Sequence, residues 1–445
     1  MSTPEKAVVG IDLGTQSTKA ALVALDGRQI GAHSVAVDFH RPQPGWAEQP
    51  PSVLLDSALE AIRALTARFP DVAVEGLGIA AQMGGAIGID AGFDAVTPHE
   101  MWLDTRADAD RAELLAEHRD EILARNGIIP FVTPRVRRWF RVEPDMAARI
   151  ARVVAPGGYL AGRLAGATSA EEAVCDRTQA NLYGCFDVAR NGWDAGLAAR
   201  SGLPPALLPR IADPFEIVGR VSAEIAAASG LAAGTPIVAG MGDGTGGWLA
   251  AGGVRPGACI DTSGSSAHFA VTVDRFVADP SGFLSCMPSA APGLYYLLGF
   301  TTGTGITQRW LARVFGTDYE ALEAEAAALP PGAGGILGIP HFNGRVSPFE
   351  PAMKGAFVGF DDRTGPGAFY RAMLEAAAYE LDGWVAAARA LAPEVTPAEV
   401  VNVGGGAQSA LWNQIKADVT GLRFRTARPE VNAARGAAMA AAVGV

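Results

Sequence analysis

The chain opens with apolar runs at strand spacing. Ala7–Leu13 is the first, Gly14–Ser17 is a turn, and Thr18–Leu25 is the second. Asp26-Gly27 is a strong hairpin signal, so Arg28–Val37 is expected as a third strand. After a Pro-rich loop containing Trp46, Ser52–Phe69 places Leu55, Leu59, Ile62 and Leu65 on one helical face. Val74–Ala81 reads as a buried strand ending at Gln82-Met83-Gly84-Gly85. Thr105–Ala124 is charged and helical, and residues 145–165 and 217–232 also read as helices. Strands alternating with helices argue for an α/β architecture.

A second run repeats the first. Ile237–Met241 is a short strand ending in Gly242-Asp243-Gly244, and Trp248–Gly252 continues as an apolar helix. Ala258–Asp261 then leads into Thr262-Ser263-Gly264-Ser265-Ser266, followed by apolar His268–Val273. Both this segment and Gly10–Leu25 read as strand, Asp, Gly/Ser/Thr turn, strand. The likeness predicts two domains of similar plan, each offering a hairpin turn to a shared cleft. Unrelated hairpins share some of this pattern, so the repeat alone does not decide the matter. Further on, Gly367–Ala390 is a helix with Leu374, Ala378, Leu381 and Val385 inward. Val400–Val403 is a strand ending in Gly404-Gly405-Gly406, Ser409–Thr420 is a helix, and Ala433–Val443 begins an Ala-rich helix within which the chain stops.

A length of 445 residues, 49% of them hydrophobic, exceeds one core and implies two sizeable domains. The net charge of -11 and the lack of a long Lys/Arg run argue against nucleic acid as a partner. The nearest basic stretch, Arg135-Val136-Arg137-Arg138-Trp139, is expected on a solvated surface. Four cysteines without a CxxC pair and six dispersed histidines without HExxH argue against structural zinc and a disulfide framework. Met1–Lys6 carries no signal pattern, and no apolar stretch is long enough to span a bilayer. The expectation is a soluble cytoplasmic protein with no membrane partner. Few lysines and many alanines read as coding bias.

Several segments carry candidate chemistry. In Asp12-Leu13-Gly14-Thr15-Gln16-Ser17-Thr18-Lys19, glycine lets backbone N–H groups approach an anion, and Thr and Ser add donors. Asp12 would repel phosphate unless a cation such as magnesium stood between them. Taken alone, this element reads better as a plain hairpin with Asp12 as a cap. No lysine directly follows a glycine, so there is no Walker loop. Thr262–Ser266 is a second candidate phosphate turn. Gly404-Gly405-Gly406 is a third, a flat surface for adenosine, although by itself a triple glycine reads as a flexible turn. Asp243 lies at a strand end, where α/β folds place ligands, and could accept the proton of an attacking hydroxyl. Its plainer reading is a turn aspartate. Gly242–Gly247 also matches GxGxxG, with Asp261 near the distance of a ribose-binding acid. That dinucleotide reading puts an unscreened Asp against pyrophosphate and leaves the duplicated turn unexplained. A polyhydroxy ligand would call on Gln82, Met83, Trp102, Asp104 and Asp176. Their plainer readings are core for Trp102, a helix cap for Asp104 and a surface acid for Asp176.

Together these residues resemble the FGGY carbohydrate kinase family over nearly the whole chain. Gly10–Lys19 looks like its first phosphate motif, and Asp261–Ser266 like its second. Gln82-Met83-Gly84-Gly85 is similar to the sugar loop of xylulose kinases, and Trp102–Ala107 to the WLDTRA segment. Val238–Gly247 resembles the segment with the catalytic aspartate, and Gly404–Val419 the C-terminal signature. The resemblance implies two ribonuclease-H-like (actin-like ATPase) domains with a cleft between them: a sugar-binding domain at 1–238 and an ATP-binding domain at 239–445. It implies Asp243 as catalytic base and substrate contact, with Asp12 and Asp243 near Mg2+. ATP would be held by Gly14, Thr15, Gln16, Ser17, Thr262, Ser263, Gly264, Gly404, Gly405, Gly406, Gln408 and Asn413. It implies substrate contacts at Gln82, Met83, Trp102, Asp104 and Asp176. The chain departs from the family at Gly84, where xylulose kinases usually carry histidine, at Gly344-Arg345-Val346, where Gly-Glu-Arg is frequent, and in ending early. The expected partner is a small sugar or polyol, first a ketopentose such as xylulose or ribulose, and a homodimer is a further option. A polyol kinase and a non-catalytic sugar or nucleotide sensor are the alternatives.

Overall fold

The computed structural model describes residues 4–264, 266–301, 303–342, 344–395 and 397–445, so Ser265 of the second candidate turn lies outside the described residues. The chain divides into two compact units. The first is Met1–Ala250 with Pro288–Pro292 and Asn432–Val445, and the second is Ala251–Met287 with Gly293–Val431.

In the first unit, β1 (Glu5–Leu13) is buried from Ala7 onward. It runs antiparallel to β2 (Ser17–Ala24), which pairs in turn with β3 (Gln29–Ala36). Gly27 takes the left-handed conformation that the Asp26-Gly27 turn requires, with φ 89°. A short strand β4 (Glu48–Gln49) precedes α1 (Ser52–Arg68), whose buried stripe includes Leu54, Ala58, Ile62 and Leu65. The other side of β1 pairs in parallel with β5 (Val72–Ala81), so the two strands end together at Leu13 and Ala81. The sheet continues from β5 through Pro236–Val238 to Ile217–Arg220, and Met241–Gly242 also pairs with the end of β5.

One face of β1 and β5 is covered by the C-terminal helix, Ala433–Gly444, at backbone distance. Gly10 and Gly78 are paired directly across the two strands. A Cβ on Gly10 would lie 1.9 Å from the Ala434 carbonyl oxygen, and one on Gly78 1.9 Å from that of Ala437. From the helix side, a Cβ on Gly436 would lie 2.0 Å from the Gly246 oxygen. The alanines of this helix, including Ala434, Ala437, Ala438 and Ala441, are buried. The abundance of alanine here serves close packing and is more than a matter of coding.

The second unit repeats the strand plan. Its order is Ser285–Pro288, Tyr295–Thr301, Ala267–Val273, Cys259–Ser263, Glu399–Val403, Arg423–Thr426. From Tyr295–Thr301 onward the pairings are antiparallel, antiparallel, parallel, parallel. The series β3, β2, β1, β5, Pro236–Val238 in the first unit has the same pairings. The internal repeat is therefore one of topology, with Asp12 and Asp261 near the ends of corresponding strands. The long helix Pro366–Leu391 buries Leu374, Ala378, Leu381 and Val385 as expected. Its Trp384 ring fills the space over Gly299, where a Cβ would lie 2.1 Å away.

Three sequence expectations need correction. Residues 145–165 do not form one helix. A short turn at Pro144–Ala147, a strand at Arg152–Val154 and a helix at Pro156–Ala165 share the stretch, because Pro156 fits a first helical turn and disfavours helix before it. Residues 217–232 divide likewise into strand Ile217–Arg220 and helix Ala223–Ser229, whose start is capped by the Ser222 hydroxyl. The basic stretch 135–139 is not a solvated surface. In the helix Val132–Val142, Arg135 is 0% exposed and Trp139 1%. Arg135 donates to the Met101 carbonyl oxygen at 2.6 Å, and Glu100 faces both Arg135 and Arg138.

The glycine contacts yield a direct test. Gly78→Ala should lower the unfolding free energy by about 1–3 kcal/mol, the usual cost of overpacking. Gly247→Ala, with nothing within 4 Å of its Cβ and a helical setting, should be neutral or stabilising. Chemical denaturation of both variants checks this, and equal effects would contradict the packing argument.

Candidate active site

In the first unit the expected residues gather at the ends of β1 and β5. The Gln82 N–H donates to the Leu13 oxygen at 2.9 Å, which holds the two strand exits together. Beyond β1, the Gly14 N–H donates to the Ser17 oxygen at 3.1 Å and closes the turn that carries Thr15 and Gln16. Trp102 joins this group, since its indole N–H donates to Thr15 Oγ1 at 3.1 Å. Met83 packs against Gly242, where a Cβ would lie 2.4 Å from the sulfur.

Asp243 is the first residue of the helix Asp243–Ala250, which starts five residues before the expected Trp248. Its Oδ1 accepts the Gly244 N–H at 2.7 Å. Burial, reinforced by the Asp12 carboxylate, pushes the Asp243 carboxyl up to about 7. Burial also raises Asp12 to about 6, with Lys19 opposing. Lys19 is the cross-strand partner of Asp12. Among the described residues no side-chain cation forms an ion pair with either carboxylate, and none belongs to a group of three or more metal-ligating side chains. Two carboxyls raised chiefly by burial suit a hard divalent cation that keeps waters or ligand oxygens in its shell.

Asp176 ends the strand Val174–Asp176 and caps the turn Arg177–Ala180. Its Oδ1 accepts from the Thr178 N–H at 2.9 Å, the Gln179 N–H at 3.1 Å and the Thr178 hydroxyl at 2.5 Å. Burial outweighs these bonds and raises its carboxyl to about 7. It is 4% exposed, not a surface acid. The Thr178 Oγ1 also accepts the Gly242 N–H at 2.9 Å, so Asp176 is tied to the residue preceding Asp243 through one side chain. Nothing in the sequence singled out Thr178 for this link.

Asp104 lies in the same unit but its oxygens are engaged. Oδ2 accepts the Ala47 N–H at 2.7 Å, and Arg106 bonds both oxygens while reaching Glu48 at 2.8 Å. The Arg106 guanidinium stacks 3.9 Å from the Trp46 ring centroid. Asp104 thus anchors the Trp102 segment. His99 was passed over by the sequence reading. Its ring lies over Gly85, where a Cβ would be 2.3 Å from Nε2. Burial, with Arg135 nearby, holds it down to about 3, and among the described residues neither ring nitrogen has a hydrogen-bond partner, nor has Gln82 Oε1.

In the second unit, the turns after strands Cys259–Ser263 and Glu399–Val403 meet. A Cβ on Gly404 would lie 2.6 Å from the Ser263 oxygen, and one on Gly406 2.5 Å from the Trp412 ring. Gly404 has φ 92°, a conformation that favours glycine. Nothing lies within 4 Å of a Cβ on Gly405, and Gln408 is exposed. Asn413 ties this region together, donating to the Ala407 oxygen at 2.8 Å and accepting from Asn402 at 2.6 Å. Thr262 is half-buried, and the Gly264 oxygen accepts the N–H of Gly305, the first residue of the helix Gly305–Phe315, at 3.2 Å. Asp261, the counterpart of Asp12, is neutralised. Lys416 Nζ pairs with it at 2.5 Å, and the Ser263 hydroxyl donates to it at 2.9 Å. Lys416 lies inside the C-terminal signature, where the sequence reading gave it no role.

Of the three glycines in the GxGxxG match, Gly242 accommodates Met83 and Gly244 lies against the Trp248 ring, while Gly247 faces open space. Among the described residues no helix is long and apolar enough to cross a membrane.

Removing ionisation at Asp243 should stabilise the ligand-free chain in EDTA. Its folded value, about 7, lies above the ordinary 3.8. The stability it lends is full below about pH 4 and is lost as pH rises to about 7. The melting temperature of Asp243→Asn should match wild type at pH 4 and exceed it by roughly 3 °C at pH 8. A variant less stable at pH 8 than at pH 4, relative to wild type, would contradict the assignment.

Comparison with known proteins gives a consistent picture. Residues 7–250 match the FGGY family of carbohydrate kinases, N-terminal domain, and residues 260–445 match the C-terminal domain of the same family. The xylulose kinase of Escherichia coli K12 is 30% identical over 443 residues, covering 97% of this chain and 90% of that protein. The gluconokinase of Bacillus subtilis 168 is 25% identical over 431 residues, covering 93% and 82%. The crystal structure of xylulose kinase from Rhodospirillum rubrum superimposes with a TM-score of 0.87 at 31% identity, covering 98% of this chain and 89% of that one.

Proposed function

The chain belongs to the FGGY family of carbohydrate kinases, and we propose that it transfers the γ-phosphoryl group of ATP, with Mg2+, to a terminal hydroxyl of a ketopentose such as xylulose or ribulose. The observation that carries this reading is the pair Asp12 and Asp243, two carboxyls at adjoining strand and helix ends with raised proton affinity. Asp243 is the base. A carboxyl poised near 7 can accept a hydroxyl proton at physiological pH, and its helix-start position leaves it partly exposed. The sugar oxygen, as its proton passes to Asp243, forms the new bond to phosphorus, and the bond from phosphorus to the ADP oxygen breaks.

Asp12 and Asp243 would hold Mg2+, which when bound offsets the negative charge of the phosphates. Thr15, Gln16, Ser17 and Thr262 would supply donors for phosphate oxygens on turns that Gly14, Ser263 and Gly264 shape through their own internal bonds, and Gly404–Gly406, Gln408 and Asn413 would border the adenosine. On the sugar side, Gln82 Oε1 is buried without a protein partner and Trp102 offers a partly exposed ring. Met83 packs beside Gly242, and Asp176 holds the approach to Asp243 through Thr178. Asp104 acts by anchoring the Trp102 segment. The xylulose kinase relatives support a ketopentose over a polyol. The intact carboxylate pair supports a catalyst over a sensor.

ADP release from MgATP, measured against xylulose, ribulose, gluconate, aldoses and glycerol, tests the assignment. A ketopentose should give a kcat/KM at least about tenfold above the others, the discrimination that a few well-placed hydrogen bonds supply. Preference for gluconate or glycerol would overturn the ketopentose assignment, and ATP binding without turnover on any of them would favour the sensor.

A further inference from the structure

Trp102 and Thr15 are 87 residues apart in sequence, yet the indole N–H of one donates to the hydroxyl of the other at 3.1 Å. The two ends of this bond are mounted differently. Around Trp102 the backbone is fixed. The Met101 N–H donates to the Ala47 oxygen at 3.0 Å, the Asp104 N–H to the Met101 oxygen at 3.0 Å, and Arg135 to that same oxygen at 2.6 Å. Asp104 in turn accepts the Ala47 N–H, which closes the brace. Thr15 sits in the turn closed by Gly14 and Ser17, and the Val37 N–H holds the Gln16 oxygen at 3.1 Å. With both backbones held, the orientation of the Thr15 side chain is governed by its bond to the indole.

A hydroxyl that accepts a hydrogen bond keeps its own proton to donate elsewhere. With Trp102 occupying one lone pair, the Thr15 proton is free for an anion at the turn. The indole has no acceptor, so the polarity of the bond is fixed. Both side chains remain half-buried, open to ligands on their outer sides.

We propose that Trp102 is a positioning residue that couples sugar occupancy to the phosphate turn: a sugar seated against the indole fixes the ring, and the ring N–H holds the Thr15 hydroxyl aimed at a phosphate oxygen. This inference rests on the kinase reading above. Coupling of this kind is reciprocal, so bound sugar tightens the nucleotide by the same factor as nucleotide tightens the sugar.

The test is the ratio of dissociation constants for the Mg2+ complex of a non-hydrolysable ATP analogue, without and with saturating xylulose. Each variant supplies its own reference, so changes in absolute affinity do not enter. Wild type should show a ratio of about ten. Trp102→Phe keeps the ring and removes the donor, and Thr15→Val keeps the shape and removes the acceptor. Each should bring the ratio to within about twofold of one, and the double variant should go no further. Thr15→Ser should retain the wild-type ratio. A ratio unchanged in either single variant, a further fall in the double variant, or its loss in Thr15→Ser would overturn the proposal. Failure of wild type to bind either ligand would instead remove the kinase reading beneath it.

Discussion

The constraint on which the first unit depends is the approach of the C-terminal helix to β1 and β5 at backbone distance. Three positions without side chains make it possible: Gly10 and Gly78 on the strands and Gly436 on the helix. The same helix also seats the Asp243 helix, since Gly436 meets the Gly246 carbonyl. Asp12, two residues beyond Gly10, and Asp243, three before Gly246, are therefore set against one surface. Such a mount suits two carboxyls that are kept buried, since burial is the main cause of their raised proton affinity.

The two units share a strand plan but treat the corresponding aspartates in opposite ways. Asp12 has no ion-pair partner among the described residues, whereas Asp261 is neutralised by buried Lys416, whose Nζ also lies 3.7 Å from the Trp412 ring centroid. On the proposed reading, the first turn keeps a carboxylate for the metal. The second has its acid paired with Lys416 and so adds no net negative charge near the phosphates. A buried pair gives modest net stability because desolvation offsets attraction, so its clearest consequence is local order. Lys416 also holds Ser263, at the foot of the Gly404–Gly406 turn.

Much of this was legible in the sequence because it rests on short-range rules. Asp26-Gly27 marked its hairpin, the periodicity of Ser52–Phe69 marked its helix, and the repeated strand, Asp, turn, strand pattern marked the shared topology. What was missed depends on contacts distant in sequence. The burial of Arg135 and Arg138 follows from Glu100 and backbone carbonyls waiting for them, and a run of arginines does not announce its acceptors. The helix at Asp243–Ala250 contains three glycines after its first residue, which lowers its intrinsic propensity, and tertiary packing overrides that. The alanines after Asn432 looked like compositional bias until the opposing glycines were placed. Asp104 was read as a helix cap or a ligand contact, and its engagement by Ala47 and Arg106 appears only once the loop around Trp46 folds over it.

The central claim is that the carboxylate at the start of the Asp243 helix takes the proton of the attacking hydroxyl. The most direct measurement is a single-turnover experiment on Asp243→Asn, with sugar and nucleotide binding measured on the same preparation. The account predicts that both ligands bind within a few-fold of wild type while the phosphoryl-transfer step slows by about 10²–10⁴-fold, the usual contribution of a general base. A transfer step within tenfold of wild type, with both ligands bound, would contradict it.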